Sequence, residues 1–502
     1  MKCYRVILSI ALTCLFFTIG QSQWLETTIY VPDSFSGIQY PQTLTYNATN
    51  NTIYVGGVEG NCVIAIDGLT NQRIARIPAG SYIEALSWNS TNNKVYCANY
   101  GTYHDDSTLT IIDGVTNSVI TNITEGYEPL LFNPTNNKIY CTKDNNNVMI
   151  IDGATDSVIT NVTVGFAPCA LVYNSTDNKV YCANQSGDNV TIIDGATNSV
   201  ITTITVGDGP CILVYNPTNN KVYCANGYSN NLTIIDGVTN SVITTVTVGY
   251  APWALVYNPT NNKVYCANLG SGDVTIIDGV TNSVITTVTV GSGPGALVYN
   301  PIDNKVYCAN CVSDNVTVID GTTNSVITTV TVEDAPYALL YNPTNNKVYC
   351  ANRDSNNVSI IDGATNGVIT TIAVGNQPCA FTYNPQQNRV YVANYDGSSI
   401  SVIRDVGGVI EERQTLNAEC LMPEIYPNPA RNYLAFRLPQ TADRQNIKIF
   451  DVSGKLVKEI ATTASQSRND RDAEMKISLK GINPGIYFLK LGKETKKFLV
   501  VQ

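Results

Sequence analysis

The sequence predicts an all-β chain: a single large β-propeller of about nine four-stranded blades, followed by a small antiparallel β-sandwich. Three observations lead there. A segment of the form Lys-Val-Tyr-Cys-Ala-Asn recurs with its tyrosine at Tyr54, Tyr96, Tyr140, Tyr181, Tyr223, Tyr265, Tyr307, Tyr349 and Tyr391, and from Tyr181 onward the step is 42 residues. A fixed period of this size means stacked copies of one unit that cannot bury its apolar face alone. Each copy splits into four short runs rich in Val, Ile, Thr and Tyr, which suits antiparallel strands rather than helices. Composition then changes after Cys420. Eight blades with a frayed extra unit is the alternative.

In one copy, strand a is Ala254-Leu-Val-Tyr257, strand b Lys263-Val-Tyr-Cys-Ala267, strand c Val274-Thr-Ile-Ile277 and strand d Val284–Val290. Asn-Pro-Thr-Asn-Asn joins a to b, and Asp-Gly-Val-Thr-Asn-Ser joins c to d. Pro fixes φ, Gly is expected to supply positive φ, and Asn and Asp cap the turns with their side chains. Connections this short force antiparallel neighbours. A parallel β-helix would need shorter coils and no tight hairpins. Ring closure needs one extra outer strand, because closure is how this architecture removes its edges. The two candidates are Glu26–Val31, which resembles strand d, and Val409–Arg413.

The repeated Lys-Val-Tyr-Cys-Ala-Asn, Val-Thr-Ile-Ile-Asp-Gly and Val-Ile-Thr-Thr-Val-Thr-Val-Gly pieces resemble the YVTN-type β-propeller repeat of secreted and surface-layer proteins. The resemblance covers about residues 26–416, within a propeller domain expected over 23–416, and it departs from the family in placing Cys where an apolar residue is usual. It implies a fold and a surface location, not an activity.

Cys97, Cys141, Cys182, Cys224, Cys266, Cys308 and Cys350 share one position in strand b. Equivalent positions on neighbouring blades should lie beyond the reach of a disulfide. Cys169 could face Cys182, and Cys211 could face Cys224, across the a–b hairpin, with Cys379 opposite Val392. The other strand-b cysteines lack such partners, so Cys is read as a small buried apolar residue. Cys308-Ala-Asn-Cys311 stands without a second pair, which argues against zinc.

The a–b and c–d turns should share one face of the propeller. It is nearly invariant, with Lys94, Lys138, Lys179, Lys221, Lys263, Lys305, Lys347 and Arg389 set against the Asp of each Asp-Gly turn. The d–a and b–c loops share the other face and hold nearly all the variation. They are acidic, opposed only by Lys143 and Arg353, and they carry aromatics. Loops on a rigid frame are where binding residues tend to sit. The candidate ligand-binding residues are Tyr127, Phe166, Asp208, Tyr250, Trp253, Asp334 and Tyr337. Ca²⁺, which prefers carboxylate and carbonyl oxygens, is the candidate cation, with Asp105, Asp106, Asp188 and Asp273 as its candidate ligands.

No catalytic residue is assigned. The sequence has no Gly-x-Ser-x-Gly elbow, no His-Glu-x-x-His and no phosphate-cradling loop. His104 is its sole histidine, which makes Ser–His chemistry a poor fit. The sequence therefore points to a non-catalytic binding or adhesion scaffold for an extracellular protein or glycan. The alternatives are a carboxylate-dependent hydrolase or lyase acting on extracellular polysaccharide or lactone, and a structural surface-layer component.

After a linker at 417–424, residues 425–502 show strand-like stretches Tyr433–Leu438, Asn446–Asp451, Gly485–Leu491 and Phe498–Val501, separated by Pro-, Gly- and Asn-rich turns. This region resembles the C-terminal sorting domain of the bacterial type IX secretion system, through Tyr426-Pro427-Asn428-Pro429, Ile447–Val457 with Gly454, Asn483-Pro-Gly485-Ile-Tyr487-Phe, and Lys496-Lys497-Phe-Leu-Val-Val. The resemblance implies the type IX machinery as partner and delivery to the cell outer surface or the medium. It also implies that the tail is commonly removed and the cargo released or attached to the outer membrane.

The N-terminus reads as a secretory signal over residues 1–22: Lys2 and Arg5 precede an apolar run ending at Gly20-Gln21-Ser22. No later segment is long enough for a transmembrane helix. Residues 23–420 hold 14 basic against 32 acidic side chains, whereas residues 421–502 hold 14 against 8. So acidic a repeat region excludes nucleic acid as its partner, since phosphate binding needs a basic surface.

Overall fold

The computed structural model describes residues 23–32, 37–101, 107–143 and 146–405, and in the C-terminal part 433–437, 447–451, 455–460, 474–480, 482–483, 485–491 and 494–500. Residues 1–22 and the sorting-motif residues Tyr426, Pro427, Asn428, Pro429 and Gly454 lie outside them. The chain separates into two compact units, Met1–Val409 and Ile410–Gln502.

The first unit is a nine-bladed propeller in which each blade is one four-stranded antiparallel sheet. Blades 1 to 8 span residues 39–78, 83–124, 127–163, 168–205, 210–247, 252–289, 294–331 and 336–373. Blade 9 takes Pro378–Asn384, Arg389–Asn394 and Ser399–Asp405 from its own stretch and Gln23–Tyr30 from the start of the chain. The closing strand is therefore the N-terminal one, Ile29 pairing with Ile400 and Tyr30 with Ser399. Among the described residues the only helical element is a 3₁₀ turn at Gln185–Gly187.

Strand b explains the packing. In Lys221-Val-Tyr-Cys-Ala-Asn226 all residues but the first are buried, so both faces of the strand are inside. Tyr223 and Ala225 pack with Leu232 and Ile234 of their own blade against Val264, Cys266 and Ile277 of the next. The core is thus nine slabs between blades, and the two sides of strand b serve different slabs. The period-2 alternation of a strand, with an apolar residue on each side, produces this directly. The last slab joins Tyr391, Ala393, Ile400 and Val402 to Ile53, Val55 and Ile64 and takes in Ile29.

The twelve described cysteines are thiols, with no disulfide among them. Cys224 lies in its slab and its Sγ donates to Asn226 Oδ1. The hairpin pairings expected from sequence are corrected. Leu171, not Cys169, faces Cys182; Leu213, not Cys211, faces Cys224; Phe381, not Cys379, faces Val392. The turn sets this register: Asn174 faces Lys179 and the pairing runs unbroken to Ala170 facing Ala183, beyond which a bulge leaves Cys169 outside the ladder.

The invariant face is held by a hydrogen-bonded ring. The Asn ending strand a donates Nδ2 to an Asn of the next blade, Asn47 to Asn93, Asn89 to Asn137, Asn216 to Asn262 and so on to Asn342 to Asn388, at 2.7–2.9 Å. Asn384 then donates to Asn51 and closes the circle. The accepting asparagines are left-handed, as at Asn93 (φ 54°) and Asn220 (φ 54°), a conformation Asn tolerates better than most residues. The Asp-Gly glycines are not at positive φ, contrary to expectation. Gly237 is required by contact instead: a Cβ there would collide with Asn220 Oδ1.

The lysine ring also differs from expectation. Lys221 Nζ donates to Gly279 O and to Asn282 Oδ1 of the next blade, not to the Asp of an Asp-Gly turn. That Asp caps its own turn, Asp236 Oδ1 accepting from the Val238 and Thr239 amides. These lysines are clamps between blades.

Among the described residues the C-terminal unit forms two antiparallel sheets. One pairs Tyr433–Arg437 with Glu474–Ser478, and the other orders Leu456–Ile460, Ile447–Asp451, Gly485–Leu491 and Glu494–Val500 side by side. Gly485 pairs with Val500, Tyr487 with Phe498, and Phe488 with Lys497.

Candidate functional site

The d–a and b–c loops come together on the second face, as the strand directions require. Gly227 N donates to Gly209 O, and Tyr228 N to Asp208 O. Serines of the b–c loops brace the d–a loops, Ser229 Oγ accepting from Asp208 N, Ser271 Oγ from Tyr250 N and Ser355 Oγ from Asp334 N. The side chains of these loops are therefore displayed on fixed backbone. Phe166, Tyr250, Trp253 and Tyr337 are each at least half exposed, and Asp208 and Asp334 are exposed. Large aromatics left in water on a rigid, acidic face are a specific surface feature. Tyr127 begins strand a of blade 3, but its side chain lies outside the described residues.

Of the candidate cation ligands, Asp188 Oδ1 accepts from Gly209 N of the adjoining loop, and Asp273 Oδ1 from Asn268 Nδ2. Both carboxylates are thus engaged in positioning their neighbours. Asp105 and Asp106 lie outside the described residues. Among the described residues no group of three or more His, Cys, Asp or Glu side chains is placed to hold a metal ion.

A position whose divergence the repeat pattern conceals organises the mouth of the central channel. Strand a in every blade contains a bulge, as in blade 5, where Pro210 pairs with Asn226 and Ile212 with Ala225, leaving Cys211 outside the ladder. Around the ring the bulged position reads Gln42, Glu84, Glu128, Cys169, Cys211, Trp253, Gly295, Tyr337 and Cys379. Almost everywhere else in strands a to c the copies nearly repeat. A bulge frees a side chain from the ladder and re-aims it, so this position diverges without cost to the sheet. Aligning the nine copies on the Asn that ends strand a, and comparing the residue five positions before it, would have revealed it.

Five of these residues line one cavity of about 400 Å³ with Arg353 and Tyr395, namely Gln42, Glu84, Glu128, Tyr337 and Cys379. The cavity spans blades 8, 9, 1, 2 and 3, with its charged groups divided between the two ends of that arc. At the blade 8 and 9 end, the Arg353 guanidinium lies 4.9 Å from the Tyr337 ring centroid and 5.9 Å from that of Tyr395. Its Nε and one Nη donate to Gln377 Oε1 at 3.3 and 3.2 Å, and the Tyr395 ring packs on Tyr40 at 5.1 Å. At the blade 2 and 3 end, burial and the charge of Glu128 push Glu84 up to about 7, and the two carboxyls are hydrogen-bonded. Glu128 is raised too, chiefly by burial. Two carboxyls this close hold one proton between them near neutral pH. Lys143, the other cation of this face, is paired with Glu125 at 2.5 Å. Among the described residues no ion pair joins Arg353 to Glu84 or Glu128.

Of the expected ligand-binding residues whose side chains are described, Tyr337 is the one that lines this cavity. Phe166, Asp208, Tyr250 and Asp334 stand on the surrounding loops, and Trp253 occupies the same bulge position on blade 6. No described helix is long and apolar enough to cross a membrane.

Residues 424–502 match the family model described as Secretion system C-terminal sorting domain. Residues 146–269 match a YNCE-like beta-propeller, and residues 321–429 a Lactonase, 7-bladed beta-propeller. No curated protein matches the chain. Among solved structures, the chain is similar to "Dihydro-heme d1 dehydrogenase NirN in complex with DHE" at 12% identity and a TM-score of 0.53, covering 72% of this chain and 79% of that one. It also matches "Kuenenia stuttgartiensis Hydrazine Synthase" at 20% identity and a TM-score of 0.41, covering 55% of this chain and 95% of that one. At 12% identity the likeness to the first of these is one of fold.

Proposed function

We propose that this secreted or cell-surface β-propeller is a non-catalytic binding scaffold, which engages an extracellular protein or glycan through the face carrying the d–a and b–c loops. Its sorting tail marks the chain for export. The observation that carries the binding role is the contrast between the two faces. One face is committed to the Asn ring and Lys clamps, while the other displays Phe166 and Tyr250 on its loops and Trp253 and Tyr337 at strand-a bulges, each at least half exposed. Aromatic side chains offer large, rigid contact area at small entropic cost and are the usual anchors of interfaces. The acidic loops favour a partner with basic or hydroxyl-rich chemistry. We further propose residues 1–22 as a cleaved signal, 23–416 as the working domain, 417–424 as linker and 425–502 as the export address.

The test is a glycan and extracellular-protein binding screen on the secreted protein, followed by the Tyr250→Ala/Trp253→Ala double variant. Binding should fall by about tenfold or more, the loss of one interface anchor or better, with the melting temperature unchanged. A ligand bound equally well by the double variant removes this face from the reading.

A further inference from the structure

The channel-mouth cavity presents a combination that its own fold does not need. Arg353 and Tyr337 belong to blade 8, Glu84 to blade 2 and Glu128 to blade 3, and all four line the same space. The guanidinium is supported by Gln377 and two tyrosine rings, not by a carboxylate. The carboxyls are hydrogen-bonded to each other rather than to a cation. Opposite charges lining one cavity ordinarily pair when they can reach; here they are held apart around an arc of blades. The volume, about 400 Å³, lies in the range of small-molecule pockets.

Resting on the reading of this face as a binding face, we propose that the cavity binds a small zwitterion of the amino-acid or short-peptide type, its ammonium between Glu84 and Glu128 and its carboxylate on Arg353. An ammonium can donate to both carboxyls at once, which replaces their shared proton with a better-placed cation. A ligand carboxylate takes the guanidinium N–H not turned toward Gln377. The Tyr337 and Tyr395 rings and the Cys379 side chain add a small apolar patch to an otherwise polar lining, where the ligand's side chain would rest. Because Glu84 and Glu128 hold a proton near neutral pH in the free protein, binding an ammonium between them releases it. Affinity therefore rises as pH increases through neutrality.

The experiment is isothermal titration of the whole secreted protein with L-phenylalanine and with the dipeptide Gly-Phe, each compared with its N-acetylated and its amidated form. Free forms should bind, and masking either charge should weaken binding by about tenfold or more, the worth of a charge-assisted hydrogen bond. Whichever free form binds more tightly identifies the source, amino acid or peptide. Arg353→Gln should bring the free and amidated forms to equal affinity, and the Glu84→Gln/Glu128→Gln variant should do the same for the free and acetylated forms. Thermal melts of both variants separate a lost site from a lost fold. No binding by either free form, masked forms that bind as well as free ones, or an Arg353→Gln variant that still prefers the free carboxylate would each overturn the proposal. Those outcomes leave the glycan and protein screen untouched, so the two readings fail separately.

Discussion

Lys347 and Asp405 are both wholly buried, and their ion pair measures 2.7 Å. In most blades the clamp lysine finds the carbonyls and the Asn of the next c–d turn, but blade 9 has no such turn, since its strand d comes from residues 23–30. The Asp405 carboxylate fills the gap, accepting from Lys347, Tyr349, Asn342 and Gln23. Asp405→Ala leaves a buried ammonium unpaired and should lower the unfolding free energy by about 3–5 kcal/mol in denaturant titration. Asp156→Asn, at the equivalent place in blade 3, should cost little, because Asn198 and Asn282 already perform that role for Lys138 and Lys221. Glu84 carries a second consequence. Its folded carboxyl titrates near 7 against an ordinary 4.5, so the folded state holds that proton more tightly than the unfolded one. The resulting stability is full below about 4.5 and is lost as pH rises to about 7. Glu84→Gln, which keeps a donor for Glu128 without the charge, should raise the melting temperature at pH 8 and flatten its dependence across that window. An unchanged profile would place the proton elsewhere.

Among the strands, Gln23–Tyr30 contributes out of proportion to its length. It covers the edge of Ser399–Asp405 through seven paired positions, and Glu26 on it meets Arg389. Arg389 at the same time donates to Gly68 O and Leu69 O of blade 1, so one side chain ties together the two ends of the ring. Removing residues 23–30 should lower the melting temperature by several degrees and cause self-association visible by light scattering, since an open strand edge invites pairing. A deletion variant as stable and as monomeric as the parent would mean that another segment closes the ring. Strand a shows a different compromise. Its bulge breaks one rung of each ladder and, in exchange, gives every blade a side chain free to vary at the channel mouth.

For the molecule as a whole, nine near-identical interfaces distribute stability around a circle, so the framework tolerates a face that is not optimised for folding. The raised carboxyls at the channel mouth and the exposed aromatics are both of this kind, since each lowers the stability or solubility of a bare scaffold. The tail adds a separate role. Deleting residues 421–502 should retain the protein in the periplasm while leaving its propeller folded, as fractionation and thermal melting would record; surface delivery without the tail would refute its part in export.

Much of this was legible in the residues. The 42-residue step, the Asn-Pro-Thr-Asn-Asn and Asp-Gly turns and the doubly apolar strand b specify nine four-stranded blades, because local turn chemistry and strand alternation leave few other pairings. The buried, unbridged strand-b cysteines follow from the same alternation. Three things depended on the folded ring. Which terminus supplies the last strand could not be read, as two segments had suitable composition and only adjacency in space selects Gln23–Tyr30. The partners of Lys221 and its counterparts lie in the following blade, some 58 residues away, beyond any local pattern. The placing of Glu84, Glu128 and Arg353 around one cavity draws on blades 2, 3 and 8, which border the same space only when the circle closes.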